Sequence, residues 1–146
     1  MNSPPPNPSP ARRVFLPEGK PVFQAIQSEK PWGQRDSWPA NWICPGNEVA
    51  ESAVYAFRLV IDLEQPLQTR IHVSADQRYW LYLNGERIGM GSERGCVAEW
   101  YFESYALELP PGRHEFGALV WFLTSKAPWA QDTIRPGFLL AAEEPG

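Results

Sequence analysis

Long apolar runs are missing from this 146-residue chain. None approaches the ~20 apolar residues of a membrane-spanning helix, so no membrane partner is expected. Cysteine is scarce. Cys44 and Cys96 are too few for a disulfide framework or a zinc site, and two reduced, partly buried thiols are the expected state. His72 and His114 are the whole histidine complement, without HxH or HExxH spacing, which argues against a transition-metal centre. Basic blocks are absent as well: 13 basic and 17 acidic residues leave a net charge of −4, so no nucleic-acid partner is expected. No GxSxG and no phosphate-cradling glycine loop occurs, since Gly89-Met90-Gly91 sits in a hairpin arm rather than before a helix. No dense acidic loop supports a structural calcium ion, and no cofactor is expected.

Proline and aromatic residues are abundant instead. Five of the first ten residues are Pro, which favours extended backbone and leaves few side chains for a core. Residues 1–20 are therefore expected to be a Pro-rich leader or linker, and residues 21–146 a single domain. The leader MNSPPPNPSPARR has no apolar centre, so it is no secretory signal as written, and a native N-terminus of this kind implies the cytoplasm. A chain of this length buries roughly two-thirds of its unfolded surface.

The stretch from Ile71 to Gly91, IHVSADQRYWLYLNGERIGMG, organises the rest. Asn84-Gly85 between alternating side chains predicts a two-residue type I′ hairpin, which needs positive φ at both central positions. That turn places Leu83 opposite Glu86, Leu81 opposite Ile88 and Tyr79 opposite Met90. One face of the ribbon is then Tyr79, Leu81, Leu83, Ile88 and Met90, the core side. The other is Trp80, Tyr82 and Arg87.

Other segments repeat the period of two. Residues 54–63 alternate Tyr55, Phe57, Leu59, Ile61 and Leu63 with Ala56, Arg58, Val60 and Asp62. Leu67, Thr69, Ile71 and Val73 alternate with Gln68, Arg70, His72 and Ser74, which puts His72 on a solvated side. Tyr105, Leu107 and Leu109 have strand spacing, and Pro110-Pro111-Gly112 ends that run. Residues 113–123 look apolar on both faces, and a closing strand falls at Phe138 to Ala141. Pro31, Pro39 and Pro45 forbid a long helix between residues 21 and 45, where Trp38, Trp42 and Ile43 read as plugs over the open end of a sheet. About eight strands and no convincing helix indicate an all-β fold, an antiparallel β-sandwich of jelly-roll or galactose-binding-domain type.

Catalytic chemistry is hard to place. A glycosidase holds two carboxylates ~5–9.5 Å apart across a cleft. Sequence spacings such as Glu99 with Glu103 do not establish that, and solvated surface charges are the expected state of these acids. What remains is surface recognition. Trp80, Tyr82, Trp100 and Trp129 are candidate flat platforms, with Asp76, Arg78, Arg87 and Arg94 as polar neighbours. Such a set suits a sugar ring, with its apolar face and rim of hydroxyls, and suits a packed protein neighbour equally well.

The segments VSADQRYWLYLNGERIGMGSERG, WYFESYALELPPGRHEFGALVW and APWAQDTIRPGFLLAAE, in that order after WPANWICP, resemble the N-terminal β-sandwich domain of bacterial α-L-rhamnosidases and related glycoside hydrolases. The resemblance spans about residues 38–142. It implies a non-catalytic accessory domain, because the family's catalytic acids belong to a large helical (α/α)6 barrel that this chain does not contain. The implied partners are that barrel, through interdomain packing, and plant or bacterial saccharides. A free-standing carbohydrate-binding module is the alternative, and a small enzyme in its own right a third.

Overall fold

The structure, a computed structural model, describes residues 10–16, 25–26, 35–36, 38–46, 52–92, 100–127 and 132–143, and no α-helix occurs among them. In chain order the strands are β1 (Ala11–Val14), β2 (Ala25–Ile26), β3 (Arg35–Asp36), β4 (Ala53–Leu63), β5 (Leu67–Asp76), β6 (Arg78–Leu83), β7 (Glu86–Gly91), β8 (Glu103–Leu109), β9 (Gly112–Phe122) and β10 (Gly137–Ala142). Two antiparallel four-stranded sheets account for most of them: sheet I in the order β1-β8-β5-β10 and sheet II in the order β4-β9-β6-β7. The chain is an antiparallel β-sandwich. Among the described residues, strands β2 and β3 pair with each other.

The period of two makes the core. Ile71, Val73 and Ala75 of β5 and Tyr105, Leu107 and Leu109 of β8 face Tyr79, Leu81 and Leu83 of β6 and Phe116, Ala118 and Val120 of β9, all of them buried. Phe57 of β4 stacks on Phe138 of β10 at 5.5 Å and joins the sheets at one side. Burying one side chain such as Leu81 is worth about 1.5–3 kcal/mol. The outer face of β9 is only half-buried, so the strand is not sealed on both sides as its sequence suggests.

Within the expected leader, Ala11–Val14 adds the edge strand of sheet I along β8, and Ala11 enters the core. A proline-rich start does not prevent the four non-proline residues after Pro10 from completing a ladder.

The hairpin forms as a type I′ turn, with φ of 51° at Asn84 and 85° at Gly85. Asn84 also clamps the ribbon to β9. Its Oδ1 accepts from the Glu115 N–H at 2.9 Å, and its own N–H donates to the Glu115 carbonyl at 2.8 Å. Its side-chain amide donates to Nδ1 of His114 at 3.1 Å, which leaves Nε2–H to donate to the Pro110 carbonyl at 2.8 Å. A local sequence signal for a turn is thus also a tertiary contact.

The register departs from expectation one step beyond the turn. Leu83 pairs with Glu86 and Tyr82 with Arg87, but a bulge at Ile88 then sets Leu81 opposite Gly89, Trp80 opposite Met90 and Tyr79 opposite Gly91. Ile88 keeps its contact with the core, whereas Met90 turns outward and is 54% exposed. The cause is a buried polar cluster. The Tyr79 hydroxyl donates to Oε2 of Glu103 at 2.7 Å and lies 3.1 Å from the Tyr105 hydroxyl. Burial first, then the neighbouring phenol and carboxylate, pushes the Tyr79 hydroxyl far above its ordinary range, so it stays a donor. With that proton committed to Glu103, Tyr105 must donate to Tyr79. These bulky groups lie directly under β7, and a Cβ at Gly89 or Gly91 would overlap the Tyr105 ring or the Glu103 carboxylate. The bulge turns two glycines, rather than Ile88 and Met90, toward them.

Gly89→Ala should therefore lower unfolding free energy by about 1–3 kcal/mol, the cost of overpacking. Gly46→Ala, where a Cβ meets nothing within 4 Å, should stay within ~0.5 kcal/mol in the same urea titration. Equal effects at the two positions would contradict this account of the bulge.

Candidate functional site

Two aromatic surfaces of opposite shape emerge. The first is the outer face of sheet II. Register puts Val54 beside Trp121 and Arg78, and Ala56 beside Leu119, Trp80 and Met90. Tyr82 follows in the next row, between Gly117 and Arg87. Trp80 and Trp121 meet edge to face at 4.7 Å, and the Arg87 guanidinium lies over the Trp80 ring at 5.2 Å. Arg58 is tied to Glu115 at 2.6 Å, while Arg78 and Arg87 flank the apolar rows from exposed positions. The expected separation of Leu81 and Leu83, inside, from Trp80 and Tyr82, outside, holds, and Arg87 stands opposite Tyr82. Trp121 and Met90 complete this face. The period of β9 groups Trp121 with Gly117 and Leu119 on one side of the strand without marking that side as the outer one, and Met90 becomes visible only once the bulge is known.

The second surface is a groove of about 520 Å³ at one end of sheet I, lined by Trp42, Cys44, Asp76, Trp100, Ile134, Arg135 and Gly137. Trp42 and Trp100 stand at 86° to each other, centroids 5.9 Å apart, and form a corner. Trp42 is 40% exposed, so the expectation of a plug is corrected at this residue. Its position is fixed from below. Ile43 and Phe138 exchange backbone hydrogen bonds of 2.9 and 3.0 Å. A Cβ at residue 137 would come within 3.1 Å of the Trp42 ring, so glycine there lets the indole lie on the start of β10. Cys44 is a free, half-buried thiol; Cys96 lies outside the described residues.

Asp76 was expected to be a solvated polar neighbour of the platforms. It is buried, and its carboxylate accepts from the Thr133 hydroxyl at 2.6 Å and from the N–H groups of Ile134 and Arg135 at 2.7 and 3.0 Å. It builds the groove by fixing the loop that walls it. Glu103, also read as a solvated acid, is buried beneath β7 because Tyr79 supplies its hydrogen bond. Of the other candidates, Arg78, Trp80, Tyr82 and Arg87 share the outer face of sheet II, Trp100 belongs to the groove, and Arg94, Glu99 and Trp129 lie outside the described residues.

His72 corrects a further expectation. Its strand alternates as its sequence suggests, but the polar side of β5 is covered rather than solvated: Trp38 and Phe102 pack their edges on the imidazole, and the ring is wholly buried. Nδ1 bonds the Ser104 hydroxyl at 2.8 Å, Nε2 bonds Glu143 at 3.0 Å, and Arg70 holds the same carboxylate at 3.1 Å. The order hydroxyl–imidazole–carboxylate is that of a nucleophilic relay. Here, however, the hydroxyl is buried in β8 between its partners β1 and β5, where backbone N–H groups are engaged in the sheet ladders rather than gathered into an oxyanion pocket. Its evident role is to bind Glu143 after β10 back onto sheet I. Among the described residues, no three His, Cys, Asp or Glu side chains cluster to hold a metal ion.

The fold is an antiparallel β-sandwich that carries two exposed aromatic surfaces. The structure is similar to part of a GH78 family rhamnosidase of Bacillus sp. GL1, with a TM-score of 0.63 and 28% identity over 73% of this chain. The matched part is 12% of that protein, so the chain corresponds to a small region of it. No protein-family model matches the chain, and no curated protein matches it by sequence.

Burial outweighs the Glu143 carboxylate and holds the His72 imidazole below its ordinary value of 6.5. The unfolded chain therefore binds a proton near that pH while the folded chain does not. Stability from this ring is complete above pH 6.5 and is lost progressively as the pH falls below it. Urea midpoints at pH 7.5, 6.5 and 5.5 should thus drop more for the parent than for His72→Gln, about one step of charge apart. Parallel pH curves for the two proteins would rule the mechanism out.

Proposed function

We propose that this chain is a non-catalytic accessory β-sandwich of a rhamnosidase-like glycoside hydrolase, and that it docks a catalytic (α/α)6 barrel through the outer face of sheet II. The observation that carries the reading is the flat row of Trp80, Trp121, Leu119, Met90 and Val54, with Met90 and Val54 each 54% exposed. A small domain rarely leaves such a patch in water, whereas domain interfaces of ~600–1,500 Å² cover it. Similarity to a region forming 12% of a rhamnosidase supports a setting in which most of the polypeptide lies elsewhere. Arg78 and Arg87 at the margins call for carboxylates on the docked surface, which set orientation more than affinity.

Carbohydrate recognition is a second role, favoured by the concave Trp42–Trp100 corner rather than by the flat face.

Trp80→Ser with Trp121→Ser should reduce binding of a hydrophobic dye and raise solubility, with melting lowered by no more than a few degrees, as for half-exposed side chains. The same pair should weaken co-purification with a co-expressed barrel. Collapse of the fold would make this face core and end the docking reading. The unaltered chain should not turn over an aryl rhamnoside, and turnover abolished by a single Asp or Glu substitution would overturn its non-catalytic role.

A further inference from the structure

We propose that the Trp42–Trp100 groove binds one pyranose ring of a saccharide, with Trp42 as the stacking floor, Trp100 as the wall and Arg135 as a hydroxyl-binding donor at the rim. This site deepens the carbohydrate role named above and is independent of the docking face, which belongs to the other sheet.

Shape selects a small ligand. A concave space of about 520 Å³ lies within the ~300–1,000 Å³ of small-molecule sites and offers no flat area for a protein surface. Lining selects the chemistry. Two indoles, Ile134 and Gly137 give apolar contact, and one guanidinium gives charged hydrogen bonding. A purely apolar ligand leaves Arg135 unused, and a charged one finds little but aromatic surface. A pyranose matches both halves: its C–H face lies on an indole while its edge hydroxyls reach a donor. The Asp76 carboxylate is occupied by three donors and takes no part in binding.

The groove is also held ready. The Asp76 bonds fix residues 133–135, and the Ile43–Phe138 bonds fix the segment carrying Trp42. An aromatic 40% exposed and held this firmly has little ordering left to do on binding, which favours a weak, few-contact ligand. Ile134, 66% exposed on the rim, adds apolar contact suited to the methyl group of a 6-deoxy sugar.

Titration of the full chain with methyl α-L-rhamnopyranoside and methyl β-D-glucopyranoside, followed by calorimetry and tryptophan fluorescence, tests this. Saturable binding of the rhamnoside at millimolar concentration is expected, weakened about tenfold or more by Trp42→Ala and severalfold by Arg135→Ala. Trp80→Ser should leave it unchanged. Arg135→Ala removes an exposed side chain whose backbone alone is pinned, so it reads the site even where Trp42→Ala disturbs folding. Absence of saturable binding by either glycoside overturns the proposal, as does binding that survives both groove substitutions. Binding lost only with Trp80→Ser would move the sugar to the flat face and refute the groove, and because the docking test uses no sugar, each reading fails on its own measurement.

Discussion

The carboxylate of Asp76 is the constraint on which both the fold and its groove depend. It stands at the last position of β5, where the chain leaves sheet I and enters β6 of sheet II. Three hydrogen bonds from residues 133–135 are gathered there, and bonds to an ionised acceptor are stronger than neutral ones. They deliver the chain in register to β10, which pairs back along β5 with Gly137 opposite Asp76 itself. Phe138, the next residue, then anchors Ile43 and with it Trp42. One buried charge thus ties the crossing between sheets, the edge of sheet I and the orientation of an exposed indole into a single unit. An uncompensated charge in that position would be costly, so the loop and the acid require each other.

The strands were legible because each strand face repeats every two residues. The Asn-Gly turn, the inward Tyr79, Leu81 and Leu83, and the outward Trp80 and Tyr82 follow from that period and from turn chemistry alone. What was not legible depends on who stands across the core. The bulge at Ile88 answers to Tyr105 and Glu103, which follow it by 17 and 15 residues and reach it only through the other sheet. The two glycines of β7 were visible, but not that they would replace Met90 under the hydroxyls.

His72 and Asp76 were misjudged for one shared reason, whereas Glu103 stands on the core side with Tyr105 and is buried because Tyr79 meets it across the sheets. Alternation assigns a residue to a face, and a polar face is then taken as wet. In sheet I that face is covered by residues 38–46, 100–102 and 132–135, which have no strand period and so left no trace in the pattern. These buried groups are nevertheless satisfied: His72 by Ser104 and Glu143, Ser74 by the Tyr101 carbonyl, Asp76 by three donors, Glu103 by Tyr79. Burying polar groups at this density is tolerable only with partners in place. The irregular segments are therefore structural members of the sandwich rather than connections across it.

The same covering explains why the two aromatic surfaces differ in kind. Among the described residues nothing is laid across Trp80, Trp121 and Met90 of sheet II, so these side chains stand in rows on its outer face, flanked by arginines. A flat apolar area gains stability in proportion to what is covered, which favours a large and equally flat partner. Sheet I is overlaid by irregular backbone, and where the covering segments meet at Gly137 they leave a corner instead of a plane. A corner of that size excludes a protein face but surrounds a single ring on two sides. The different shapes of the two surfaces thus follow from an asymmetry in the chain itself: one sheet carries irregular segments over its outer surface, and among the described residues the other carries none over its aromatic side chains.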